Sequence, residues 1–413
     1  MATNFKKDIQ YYRFSLYGFL KNQKFYEPFF LLFLLSRDIS YFEAGLLYSI
    51  REVTINLAEI PAGVLADSSG RRRTMLFSFS FYIFSFLSFY FSHSFHTMAV
   101  AMILFGMGDV FRTGTHKAMI FDYLDTMGWS HDRVVYYGNT RSWSQRGSAL
   151  SSLIAAAAVV LTSSYSLVFL FAIVPYLLNF INLATYPAWL DGDNSELTWE
   201  KFRKSFREVF ISLKKTMKRA AILRIYTNST LISAWYNSAK DYLQPLLAAF
   251  AVSLPFFKGM EDSDRSAITV GIVYFFIFLI TSKASRLSGR FALATGSDRK
   301  AMNLSYLLFG GAALGSGLLY YSGHELAAVV LFVAVYAMEN LRRPAVVAVI
   351  ASNTDKKALS TYLSIDSQLK SLFTMVMSPL VGLAADKISP GAGVALLSVL
   401  VLILYPIVRL RKE

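Results

Sequence analysis

The chain has no cysteine. That excludes disulfide frameworks, zinc–thiolate sites, iron–sulfur clusters and cysteine nucleophiles. Charge is scarce as well, with Asp, Glu, Lys and Arg making up 16% of residues against 54% hydrophobic ones. A water-soluble domain carries more charge than this. The sequence has no P-loop, no dinucleotide-type glycine loop, no HExxH and no G-x-S-x-G. Enzyme chemistry and an ATP-driven pump housed in this chain alone therefore lack their usual constellations, and the sequence predicts no enzyme and no cofactor. Met1 to Arg13 is polar and basic, and no A-x-A-like site follows the first apolar block, so a cleaved signal peptide is not predicted. The net charge of +14 would suggest nucleic acid in a soluble protein. In an apolar chain it reads as cations gathered on one membrane face, and no nucleic-acid partner is expected.

What the sequence has is repeated apolar blocks. A helix needs about 20 such residues to cross the hydrocarbon core. Blocks of that kind fall near 12–35, 43–66, 74–92, 97–120, 142–162 and 166–187, and again near 222–250, 267–289, 301–321, 325–348, 360–385 and 391–408. The fold class expected is all-α: a polytopic membrane protein of about twelve spans in two six-helix halves, 1–187 and 222–413. The polar segment 188–221 joins the halves as a linker. Within it Phe202, Phe206, Val209, Phe210, Leu213 and Met217 recur at helical spacing among lysines and arginines. This predicts a basic amphipathic helix lying on the membrane surface.

Orientation follows from the loops. With the N-terminus inside, the inner segments hold roughly 23 Lys and Arg against about 4 outside. The inner set includes Arg71, Arg72, Arg73, Arg290, Arg299, Lys300, Arg409 and Arg411, and the outer set is Arg37, Lys258, Arg265 and Lys387. Both termini are thus expected in the cytoplasm.

After the second block the chain reads Gly63-Val64-Leu65-Ala66-Asp67-Ser68-Ser69-Gly70-Arg71-Arg72-Arg73. Here a close helix approach at Gly63, a helix-end cap at Asp67, a tight turn at Gly70 and arginines at the anionic lipid surface are the physical expectations. The segment resembles the signature loop between the second and third helices of the major facilitator superfamily, in sequence and in place. Ser68 departs from the basic residue usual there, and Ser285–Arg290, at the corresponding place after the eighth block, keeps little of the pattern. The resemblance implies a secondary transporter working by alternating access. It implies a conformational latch at Gly63, Asp67, Gly70, Arg71 and Arg72, and a cavity lined by spans 1, 4, 7 and 10.

Ionisable residues inside spans are costly unless paired or hydrated, so each marks a candidate site. Lys21, Lys24 and Glu27 cluster early in span 1. Glu52, Asn56, Glu59 and Gly63 form a stripe in span 2. Asp109, Arg112 and His116 align in span 4, and Asn237, Lys240, Asp241 and Gln244 share a side of span 7. Glu339 with Arg342 or Arg343, and Asp366 with Lys370, read as self-satisfied pairs.

Within the spans about twelve cations face about eight anions, which favours an anionic or zwitterionic substrate. The substrate-binding set expected is Lys21, Lys24, Arg112, His116, Trp235, Lys240 and Asn340. A desolvated carboxyl can take up a proton near neutral pH, so Glu27, Glu59, Asp109 and Asp241 are the expected proton-coupling groups. The resulting expectation is a proton-coupled antiporter in a bacterial inner membrane, exporting a small anionic, zwitterionic or amphipathic compound. Proton-coupled uptake of an anionic metabolite, and a non-transporting sensor with a transporter fold, stand as alternatives. Sodium could replace the proton. The partners expected are the substrate, the coupling ion and membrane lipid, with the chain a monomer.

Overall fold

The computed structural model describes residues 5–191, 203, 207, 220–255, 259–353 and 359–411. The predicted amphipathic helix of the linker lies outside the described residues, apart from Arg203 and Arg207. Among the described residues there are fifteen α-helices and no strand. They are α1 (Ile9–Lys21), α2 (Phe30–Leu35), α3 (Tyr41–Ser69), α4 (Arg71–Phe91), α5 (Phe95–Arg112), α6 (Thr115–Thr126), α7 (Arg133–Thr162), α8 (Leu167–Ala184), α9 (Ala220–Ala239), α10 (Leu243–Ser253), α11 (Asp262–Thr295), α12 (Asp298–Tyr321), α13 (Glu325–Ser352), α14 (Leu359–Lys387) and α15 (Pro390–Val408).

Three pairs of consecutive helices are separated by only a short break and count as one rod each. Between α1 and α2 the chain passes through Asn22–Tyr26 and a short 3-10 turn, Glu27–Phe29, that holds Pro28. Asn22 donates its side-chain amide to the Gly18 carbonyl at 2.6 Å, occupying an acceptor that the helix end leaves open. Between α5 and α6, Gly114 adopts φ +81°, open to glycine at little cost. Between α9 and α10 the 3-10 turn Lys240–Tyr242 precedes Pro245, which has no N–H to continue the helix.

Counting those pairs once gives twelve rods, as the apolar blocks predict. Eight of the helical stretches are long and apolar enough to cross a membrane by length and composition. The four rods that fall short are the first, second, seventh and tenth, which are broken or carry several charges. Large apolar side chains such as Leu161, Ile407, Phe84 and Leu177 stand exposed on the rod surfaces, a distribution suited to lipid and not to water. The chain is an integral membrane protein.

Helices also outrun their apolar blocks. α7 begins at Arg133, well before residue 142, and α11 runs from Asp262 to Thr295. At about 1.5 Å per residue, α11 is roughly 50 Å long. Its charged ends extend past a core of about 30 Å, which hydropathy alone does not register.

The residues group into two compact units. The first, Met1–Pro28 with Leu57–Phe206, packs α1 against α7 and α8, and α4 against α5 and α8. Phe79, Tyr82, Phe86 and Tyr176 interlock at its centre.

The second unit is Phe29–Asn56 with Arg207–Glu413. It takes in the first stretch of α3 for a structural reason. The first turn of α3 is capped from α14, where the Asp386 carboxylate accepts the Tyr41 and Phe42 amides at 2.9 and 2.8 Å. A capping box between Ser40 and Glu43 adds to it, with Ser40 N–H on Glu43 at 2.9 Å and Glu43 N–H on the Ser40 hydroxyl at 3.2 Å. α2 is capped in the same manner from α10, where Gln244 Oε1 accepts the Leu31 and Leu32 amides at 2.8 and 3.3 Å. Glycines let the backbones meet: a Cβ on Gly382 would lie 2.6 Å from the Tyr41 carbonyl carbon, and one on Gly45 2.7 Å from that of Ser378.

Candidate functional site

In the first unit the span-4 stripe forms a closed hydrogen-bonded triad. Tyr82 donates to Asp109 Oδ1 at 2.5 Å, and Arg112 Nη2 reaches the same oxygen at 3.1 Å. Arg112 Nε donates back to the Tyr82 hydroxyl at 2.9 Å. Asp109 is buried, and Arg112 stands one helical turn on, at the C-terminal end of α5. Lys21, the last residue of α1, lies within electrostatic reach of Arg112, Lys24, Arg141 and Asp109. Lys24 and Glu27, in the break after α1, form an ion pair at 3.4 Å with both side chains about a third exposed or less. The early lysines of the first rod and the arginine of the fourth are therefore brought together. Tyr82 was not singled out in the sequence, because it sits in a run of aromatic and serine residues with no polar periodicity of its own.

His116 is placed differently from expectation. It is stacked on Tyr17 at 3.5 Å between ring centroids, with Phe14 edge-on at 5.4 Å. Its Nε2 lies 3.2 Å from the Tyr186 hydroxyl, which itself donates to the Arg13 carbonyl at 3.3 Å. Which of the two groups donates depends on the imidazole tautomer. His116 is thus a buried group in an aromatic box, with Nε2 in hydrogen-bond contact with Tyr186.

The signature loop adopts a left-handed turn at Gly70, φ +94°, and a Cβ there would fall 2.8 Å from the Asp191 carboxylate. Asp191, in the short turn after α8, caps α4 by accepting the Arg72 amide at 2.8 Å, and it pairs with the Arg72 side chain at 3.5 Å. Arg72 also donates to the Tyr186 carbonyl at 3.0 Å, while Arg71 forms an ion pair with Asp122 of α6. The expectation that these two arginines sit on the lipid surface is corrected: both are consumed by protein partners, and Arg73 alone of the three is exposed. The expected close helix approach at Gly63 is corrected as well, since a Cβ there would meet open space. Asp67 closes the last turns of α3, its side chain lying outside the described residues. Asp191 is the residue the sequence did not disclose, since nothing in its neighbourhood resembles the loop it caps. Asp191→Ala is expected to lower thermal stability of the purified chain by about 1–2 kcal/mol, the usual worth of a helix cap. An unchanged unfolding temperature would show the cap to be dispensable.

The second unit holds its own polar groups. Lys240 and Asp241 pair at 2.9 Å, and Tyr48 donates to the other Asp241 oxygen at 2.9 Å. Tyr336 donates to the Lys240 carbonyl at 3.0 Å, with the Tyr274 hydroxyl 3.3 Å behind it. Deeper in, Arg342 is almost fully buried. It donates to the Asn228 and Ser229 carbonyls at 3.1 and 3.3 Å, with Glu339 at 3.9 Å. Glu339 in turn accepts from Ser233 through Oε1 at 2.8 Å, while its Oε2 and the Arg342 Nε are buried without a hydrogen-bond partner. Asn340 donates to its own helix at Tyr336, 3.0 Å away.

Trp235 was expected among the substrate-binding residues. It is instead fully buried, edge-on to Phe309 at 5.1 Å, with its indole N–H on Ser398 at 3.1 Å. Its size and single donor are spent on packing. The span-2 stripe is divided. Glu52 is in the second unit, bonded to Arg51 at 3.1 Å and to Ser371, whereas Glu59, half-buried, belongs to the first.

The major facilitator superfamily profile matches residues 22–365. An uncharacterised transporter of that type, YxaM of Bacillus subtilis (strain 168), is 24% identical over 235 residues, 55% of this chain and 56% of that protein. The chain thus aligns with little more than half the length of that relative. Among solved structures, the nucleoside transporter NupG superposes with a TM-score of 0.74 at 10% identity, covering 98% of this chain and 100% of that one. A POT family transporter in complex with 5-aminolevulinic acid gives 0.72 at 13% identity, covering 97% and 95%. A D-xylose-proton symporter gives 0.67 at 13%, covering 98% and 99%. At such identities these likenesses speak to the fold. With the helical architecture, the lipid-suited surface and the signature loop, the match across most of the chain makes this protein a member of the major facilitator superfamily.

Proposed function

We propose that the chain is a proton-coupled carrier of a small organic anion or zwitterion, with Lys21, Lys24 and Arg112 as the anion-binding groups and Asp109 as the proton site. The observation that carries this reading is the Asp109–Tyr82–Arg112 triad beside two lysines. When Asp109 is ionised, Arg112 is engaged by a neighbouring carboxylate. When Asp109 takes a proton, that charge pairing is lost and the Arg112 fork can turn to a substrate carboxylate or phosphate. Proton and anion then bind together.

Co-binding of that kind gives symport, and with an inward proton gradient it gives uptake. The triad thereby favours the uptake alternative over the export expected from the sequence. Export keeps its own requirement: a substrate amine competing with the proton for Asp109, which gives antiport. Sodium at the same carboxylates is the other coupling ion open to it. The two moving bodies are taken to be 1–187 and 222–413, joined by 188–221. Glu27 and Glu59 in the first unit, and Lys240 and Asp241 in the second, are the further polar groups this reading draws on. The signature loop, including Asp67, serves as the latch at the cytoplasmic face of a bacterial inner membrane, with both termini on that side and the chain working as a monomer. The D-xylose-proton symporter among the fold relatives shares the fold with a proton-driven carrier, which is consistent with this reading.

The test is proton movement in energised vesicles challenged with organic anions, zwitterions and lipophilic cations. Anions are expected to draw protons in with them, and Lys24→Ala and Arg112→Ala are each expected to weaken anion affinity about tenfold or more, the worth of a charge-assisted hydrogen bond. A response confined to lipophilic cations, with proton release against substrate, would replace symport by efflux. Unchanged affinity in both variants would remove Lys24 and Arg112 from the site.

A further inference from the structure

Where α12 begins and α15 ends, the second unit contains a cavity of about 550 Å³ lined by Lys300, Asn303, Tyr405, Pro406, Arg409 and Arg411, with Leu410 between the two arginines. None of these groups enters the transport site described above. The chain is built to hold them there. α15 stops at Val408, and Arg409 turns to an extended conformation at φ −56°, ψ 128°. Leu410 then inserts into the hydrophobic cluster of Ala301, Met302 and Ile350, where it is 7% exposed. Asn303 fixes it with two hydrogen bonds, donating to the Leu410 carbonyl at 2.8 Å and accepting its amide at 3.0 Å. In an extended segment, neighbours alternate sides. Pinning Leu410 inward therefore turns Arg409 and Arg411 outward, and both are exposed. Arg299 secures the end of the segment, donating to the Arg411 carbonyl at 3.4 Å and to Asn353 at 2.8 Å.

Lys300 completes the cluster from the first turn of α12, where the positive end of the helix dipole adds to its charge. Among the described residues, none of Lys300, Arg409 and Arg411 is paired with a carboxylate. From Lys300 an exposed apolar stripe runs along α12 through Leu304 and Leu308 at four-residue spacing, and Ile403 and Ile407 are exposed on α15. A focus of cations at helix ends, with an aromatic ring beside it and apolar surface leading away, has the chemistry of a phosphate headgroup and its acyl chains at a membrane interface.

We propose that this cavity binds the phosphate group of an anionic phospholipid. The cations take the phosphate oxygens through charge-assisted hydrogen bonds, and the acyl chains lie on the Leu304–Leu308 and Ile403–Ile407 stripes. The site is independent of the substrate carried and of the direction of transport.

The experiment uses the full chain in neutral detergent and measures retained phosphatidylglycerol, with phosphatidylcholine and inorganic phosphate as parallel probes. Preferential retention of phosphatidylglycerol is expected. It should weaken about 30-fold when Arg409→Gln and Arg411→Gln are combined, at about a factor of 5 for each surface cation. Arg286→Gln combined with Arg290→Gln, which removes two exposed cations from α11, should leave it unchanged. Both pairs replace exposed side chains, and lipid-free unfolding temperatures confirm that each folds. Equal loss in the two pairs would reduce the effect to diffuse surface charge and overturn the proposal, as would unchanged retention in the Arg409/Arg411 pair. Binding of inorganic phosphate without preference for the lipid would overturn the lipid source.

Discussion

Asp109→Asn is expected to abolish uphill, proton-driven accumulation of substrate while leaving downhill exchange of substrate across the membrane intact. The substitution keeps the shape of the side chain and removes its ionisation. The Tyr82 hydroxyl at 2.5 Å can still donate to the amide oxygen, but the amide carries no charge to hold Arg112 at 3.1 Å. Arg112 is then permanently in the condition that protonation of Asp109 reaches only transiently. The expected signature has two parts. Substrate affinity at alkaline pH should rise to the value the parent shows at acid pH and lose its pH dependence. Imposed proton gradients should drive accumulation at least about tenfold less than in the parent, since coupling needs a group whose charge changes during the cycle. Asp109→Glu, which restores an ionisable group one methylene longer, should recover part of the coupling. If Asp109→Asn still accumulates substrate against its gradient in proportion to the proton gradient, the proton is carried elsewhere. Glu27, Glu59 and Asp241 would become the candidates.

Much of this was legible in the sequence because apolar length and charge placement are one-dimensional properties. The twelve rods appear as twelve apolar blocks, and the signature loop from Gly63 to Arg73 marks the family. The Lys21–Lys24–Glu27 cluster and the Asp109–Arg112 pair are visible because three- and four-residue spacings put them on one helical face. What was not legible depends on partners far along the chain. Tyr82 joins Asp109 and Arg112 from 27 and 30 residues away, Asp191 caps α4 from 119 residues away, and Asp386 caps α3 from 345 residues away. No local pattern at a tyrosine or an aspartate announces such a partner. Trp235 and His116 show the reverse problem. Their chemistry suits a binding site, but whether a side chain faces open space or a neighbouring helix is settled by packing, and here Ser398, Tyr17 and Tyr186 occupy them. Gly63 was noticed for its motif, whereas Gly45 and Gly382, two of the glycines that touch backbone, sit in stretches with no motif at all.

That last pair carries the other large effect. Gly382→Leu is expected to prevent the start of α3 from docking on α14 and to hold that end of the second unit open. A Cβ at Gly382 would run into the Tyr41 carbonyl group, 2.6 Å from its carbon, and come within 2.8 Å of the Phe42 Cα. These are backbone atoms, which cannot rotate away as a side chain tip does. The Asp386 carboxylate caps the Tyr41 and Phe42 amides at 2.9 and 2.8 Å only while the two helices touch, so the cap is lost together with the crossing. Overpacking of about 1–3 kcal/mol and a lost cap of about 1 kcal/mol sum to a population shift on the order of 100-fold or more. In a carrier that alternates access, the docked arrangement closes one face, and a variant unable to dock should bind substrate but not turn over. The absence of cysteine supplies the reporter, because Ser49→Cys would be the sole thiol in the chain. Ser49 is 8% exposed and donates to the Met375 carbonyl at 2.7 Å, inside the same crossing. In the parent background it should react slowly with a membrane-impermeant maleimide. With Gly382→Leu it should react at least about tenfold faster, and with Gly382→Ala the change should have the same direction and a smaller size. Equal labelling in all three backgrounds would mean that the crossing never opens, and that the stretch Phe29–Asn56 is a fixed part of the second unit rather than a gate.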